Sequence, residues 1–162
     1  MNTVEISLLV LLALLLSVYR QTRTRPASRM TGTLVTAAAL VVLGVNSGGL
    51  LDTGQPALSL ALFAVEAVAA VALGAWRASS VRVWLDNAGI AWSKGTAWTM
   101  LAWLASIAIR VGLYFAGTAA GLSVSTGGAL LFLGLTLGTQ AYLVARRGRA
   151  LIGDRILSKG DA

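Results

Sequence analysis

The chain contains no cysteine and no histidine. Those two absences exclude much chemistry at once. Disulfides, dithiol exchange, thiolate-bound zinc, iron–sulfur clusters and histidine-ligated haem all need residues that are missing. So do Cys–His and Ser–His catalytic devices. Acids are scarce as well, with 6 Asp and Glu against 13 Lys and Arg. Scattered over 162 residues, they offer no metal-ligand spacing, so neither a metal nor a cofactor is expected. Charged residues make up 12% of the chain, about half of the ~25% usual in soluble domains.

What fills the chain instead is apolar, at 57%. Five runs stand out, at about 3–19, 32–51, 57–76, 98–120 and 127–145. Each approaches the ~20 residues a helix needs to cross a bilayer. Backbone groups in lipid must be satisfied within their own segment, so the runs are expected to be helices. The first lacks a basic leading region and a small-x-small cleavage site, and is expected to be a retained span.

Loop charge alternates. Arg20, Arg23, Arg25 and Arg29 follow run one, and Asp52 alone follows run two. Arg77, Arg82 and Lys94 follow run three, and no Lys or Arg follows run four. Arg146, Arg147, Arg149, Arg155 and Lys159 follow run five. The bias of basic loops toward the cytoplasm places the N-terminus outside and the C-terminus inside. The expected fold is an all-α membrane bundle of five transmembrane helices over 1–145, with a basic cytoplasmic tail at 146–162. The net charge of +7 lies beside apolar runs. Anionic headgroups on the cytoplasmic side are therefore the expected partner, and nucleic acid is not.

Two cytoplasmic pieces carry local patterns. In "VRVWLDNAGIAWSKGT", Asp86-Asn87-Ala88-Gly89 suits a type I turn ending in a left-handed glycine. A short hairpin across 81–94 would set Trp84 opposite Trp92 and lean on the membrane surface or the basic first loop. The alternative is an interfacial loop whose tryptophans anchor at headgroup level. Arg25, Arg29, Arg82, Trp84, Trp92 and Lys94 are the interfacial candidates. The tail is read either as a short interfacial helix or as a solvated end.

Two ionisable residues fall deep within runs: Glu66 and Arg110. Glu66 lies ten residues from Trp76, and Arg110 twelve from Trp98. From a shared cytoplasmic end, those depths are roughly 15 and 18 Å. The two should meet, and a forked contact would satisfy both. Trp103, Arg110 and Tyr114 share a helical face, as do Phe63 and Glu66. Together with Gln140 they form the candidate ligand-binding set. The pair is either a lock that fixes helix register or a functional site. The Gly-rich run 44–57 has no following Lys and no preceding strand, so it is not a phosphate loop.

One stretch resembles a known family. Arg82-Val-Trp84, Gly89, Trp92-Ser93-Lys94 and Arg110-x-Gly112, with Arg25-Pro26 in the first loop, are similar to the CcdC-like family of small bacterial membrane proteins. That resemblance implies a multi-pass protein of the bacterial plasma membrane. It implies no activity, because the family has none established.

Three functions stay open. One is a binding, transporting or accessory membrane protein built on Glu66 and Arg110, with a homodimer as one arrangement. Another is an intramembrane enzyme acting on a lipid or isoprenoid, in which Glu66 would be a catalytic acid and Trp103, Tyr114 and Phe63 would line a chamber. Against it, Arg110 favours ionised Glu66. The third is a purely structural or interaction protein.

Overall fold

The computed structural model describes residues 24–27, 30–47, 54–122 and 126–160. The first expected span, Arg20, Arg23, Arg29 and Asp52 lie outside the described residues. Among the described residues there are four helices and a small sheet. In chain order these are β1 (Arg25–Pro26), α1 (Met30–Asn46), α2 (Pro56–Ser80), β2 (Arg82–Leu85), β3 (Ala91–Lys94), α3 (Ala97–Ala119) and α4 (Thr126–Gly160). Three helices are long and apolar enough to cross a membrane: α2, α3 and the stretch Gly127–Ser158 of α4. With 17 residues, α1 is shorter, about 25 Å of helix.

The helix ends follow local chemistry. Proline opens α2, where its missing N–H costs nothing. Thr96 caps α3, its hydroxyl accepting from the Thr99 N–H while the Thr99 hydroxyl accepts from the Thr96 N–H. Two helices run further than their apolar runs. The first is α2, which continues past Trp76 through Arg77 to Ser80. Its last carbonyls are satisfied by Ser79 and Ser80 hydroxyls and by Arg147, which donates to Ala78 at 2.7 Å. The second is α4, which continues through the basic tail as one 35-residue rod. The tail is therefore neither a separate helix nor a loose end up to residue 160. No proline interrupts it, and its packing against the sheet holds it helical.

The central element is α4, which touches α1, α2 and both hairpin strands. It approaches α2 so closely at Gly74 that a Cβ there would lie 2.7 Å from the Thr136 carbonyl. The two run parallel: Phe132 packs with Ala70 and Leu73, then Val144 with Ala78 and Val81. Across α2, in turn, lies antiparallel α3. Exposed Val65, Val68, Leu104 and Phe115 give the bundle an apolar outer surface.

The sheet is antiparallel, in the order β1-β3-β2. Trp84 pairs with Trp92, and Gly89 takes φ 81° in a three-residue turn, as the sequence pattern predicts. The first loop supplies the third strand, with Arg25 opposite Ser93 and Pro26 opposite Trp92. Proline is tolerated there because β1 is an edge.

Candidate functional site

One stripe of α2 carries the chemistry. Glu66, Ala70, Leu73 and Arg77 are all buried, at spacings of four, three and four. Each end of the stripe holds a charge. The two levels are eleven residues apart, or about 16 Å.

At the first level, Arg110 Nη1 donates to Glu66 Oε1 at 2.5 Å, joining α3 to α2. Their side chains retain only 16% and 10% exposure. The Arg110 guanidinium also sits 5.9 Å from the Phe132 ring of α4. The contact has one point and is not the forked one expected from sequence. Glu66 Oε2 and the remaining Arg110 N–H groups have no hydrogen bond among the described residues.

The second level centres on Arg77, which is 0% exposed. Its guanidinium stacks on Trp103 of α3, 4.1 Å from the ring centroid. None of its three nitrogens has a hydrogen-bond partner among the described residues. Trp103 Nε1 and Gln140 Oε1 are likewise buried without partners. Gln140 lies on the α4 stripe between Thr136 and Val144. Those residues meet α2 at Gly74 and Ala78, so Gln140 is level with Arg77. A desolvated cation–π stack is worth about 2 kcal/mol. Burying an ion costs several kcal/mol even after relaxation. The ring alone does not balance that cost.

The remaining candidates scatter. Phe63 is half-buried, and Tyr114 is 47% exposed, its ring edge-on to Phe115. Trp103 covers Arg77, so it and Tyr114 do not close one chamber around Glu66. Arg25, Arg82 and Lys94 are exposed at the sheet end, and Trp84 is 36% exposed. Trp92 instead donates its indole N–H to Asp86 Oδ2 at 2.9 Å, while the Ile90 N–H reaches Oδ1 at 2.8 Å. These bonds, the indole first, hold the Asp86 carboxyl below its ordinary value. Arg155 donates to the Asp86 carbonyl at 2.7 Å, bracing the turn from α4.

Sequence reasoning missed Arg77 by counting it as a loop cation. The available signal was its spacing of eleven from Glu66, which puts both on one helical face. Comparison with protein families, curated proteins and solved structures gives no match.

Proposed function

We propose that this chain is a multi-pass protein of a bacterial plasma membrane whose Glu66–Arg110 layer binds a small or lipid-like ligand. One observation carries the proposal: the ion pair is single-point, leaving a carboxylate oxygen and guanidinium N–H groups unused between apolar helices. A lock needs no spare hydrogen-bonding capacity, and isosteric apolar residues often serve as well. A polar ligand would use that capacity. Catalysis has less support, because the Glu66 carboxylate is already paired with Arg110.

The proposal includes five spans, with the N-terminus outside and the C-terminus inside. The likeness to the CcdC-like family belongs with it, as do anionic headgroups around exposed Arg82, Lys94, Arg146 and Arg149. A homodimer through the apolar outer faces is a further part of it. Because the chain has no native cysteine, topology is directly testable. An impermeant thiol reagent should label Asn2→Cys in intact cells and Ala88→Cys only after lysis.

Ligand binding is tested with the double variant Glu66→Met/Arg110→Met, which removes both charges together. Mass spectrometry of the purified protein should show a co-purifying molecule lost from a still-folded variant. An unchanged set of bound molecules would reduce the pair to a lock.

A further inference from the structure

We propose that Arg77, Trp103 and Gln140 form a buried binding site for an oxyanion, a phosphate or carboxylate carried by a small molecule or by a lipid headgroup. The site does not require the Glu66–Arg110 layer to bind anything.

Three observations converge on it. First, Arg77 is fully buried, and its Nε, Nη1 and Nη2 are all without partners among the described residues. Second, the neighbouring Trp103 Nε1 is a further buried donor without a partner. Buried donors without acceptors are costly, and a cluster of them calls for an acceptor-rich, negatively charged group. Third, no described acid serves Arg77. Glu66 is engaged by Arg110 about 16 Å along the same stripe. Asp86 is taken by Trp92 and Ile90 at the hairpin turn, and Asp154 is exposed on the tail.

The surroundings suit an anion. Arg147 adds a second cation one turn of α4 beyond Val144, held on the carbonyls of Ala78 and Val81. Gln140 Oε1 is an acceptor, so it matches a ligand hydroxyl such as a protonated phosphate carries. Arg77 lies one turn from the end of α2, where the apolar helices meet the sheet. Trp103 is half-buried and covers the guanidinium. An anion reaches Arg77 when that ring turns aside, and the stack holds the guanidinium otherwise.

The test uses the full chain in neutral detergent, with thermal unfolding and tryptophan emission as readouts. One arm titrates inorganic phosphate, with acetate in parallel. The other transfers the protein into phosphatidylcholine bilayers with or without phosphatidylglycerol. Stabilisation by phosphate or acetate identifies a free anion, and stabilisation only by phosphatidylglycerol identifies a headgroup. In either case Arg77→Gln should weaken the response about tenfold or more, as loss of charge-assisted hydrogen bonds does. Trp103→Phe should remove the emission change, and Asp154→Asn, which removes an exposed charge on the tail, should alter neither. If Arg77→Gln does not fold, Arg77→Lys replaces it and should still bind more weakly for want of the planar fork. An undiminished response in the Arg77 variant overturns the proposal, as does no response in either arm. It is also overturned if Glu5→Gln and Arg77→Gln each destabilise the ligand-free protein to the same extent, since an acid of the chain would then serve the guanidinium.

Discussion

Arg77, fully buried on α2, and Arg110, partly buried against that helix, are stabilised in opposite ways. Arg110 has a carboxylate and little else. Arg77 has an aromatic face and no carboxylate among the described residues. A third arrangement appears at the sheet, where Arg147 and Arg155 donate to backbone carbonyls at the end of α2 and at the hairpin turn. The middle of the bundle therefore balances charge with charge, whereas the sheet end gathers cations and disperses them over carbonyls and a ring. In an apolar protein, the cost of a buried guanidinium depends on what faces it more than on its depth.

The largest expected effect comes from replacing each arginine with methionine. Arg110→Met leaves Glu66 as an uncompensated buried carboxylate and should destabilise the protein by about 3 kcal/mol, toward the low end for breaking a buried pair because some exposure persists. Arg77→Met loses a stack worth about 2 kcal/mol and relieves a burial cost that is larger, so in ligand-free detergent it should be neutral or stabilising. Denaturant unfolding of the two variants side by side measures the contrast. Equal losses would mean that Arg77 is as well compensated as Arg110, and the comparison would collapse.

Depth explains why one arginine was legible in the sequence and the other was not. Glu66 and Arg110 interrupt apolar runs, and counting residues from Trp76 and Trp98 places them at one level. Arg77 immediately follows its run, so positive-inside reasoning assigned it to a loop. Only the continuation of α2 to Ser80, held by serine hydroxyls and Arg147, turns it inward. The same blindness affected the tail. A hydropathy reading ends a span at Ala145, but α4 continues because sheet contacts replace lipid as its neighbour. The hairpin was legible because Asp86 to Gly89 carries its own turn chemistry. Its third strand was not, since a two-residue pairing with β3 leaves no periodic pattern.

A smaller effect is expected at that turn. Gly89 has φ 81°, and an added Cβ would meet only Arg155 Nη1, at an ordinary 3.7 Å. The cost of Gly89→Ala is therefore conformational and should be about 1–2 kcal/mol. It should fall on the sheet end alone, loosening the carbonyls that Arg155 grips and leaving the Glu66–Arg110 contact intact. Amide exchange would show faster exchange at Asp86 and Ile90, with α2 unchanged around Ala70. A loss spread equally over α2 would mean that the two regions do not respond separately.

The smallest effect is a pH dependence confined to the sheet end. The Asp86 carboxyl is held below the ordinary aspartate value of 3.8, chiefly by the Trp92 indole N–H and then by the Ile90 N–H. A depressed folded value means that the ionised carboxylate stabilises the turn. That contribution is complete above the ordinary value and disappears as pH falls through the lower, folded one. Exchange of the Trp92 indole proton should therefore be slow at neutral pH and accelerate in acid below 3.8. In Asp86→Asn the amide cannot ionise, so the acid-dependent step should vanish while exchange is already faster at neutral pH. If the variant kept the wild-type profile, some group other than Asp86 would be titrating, and the carboxylate would not be what holds the hairpin turn.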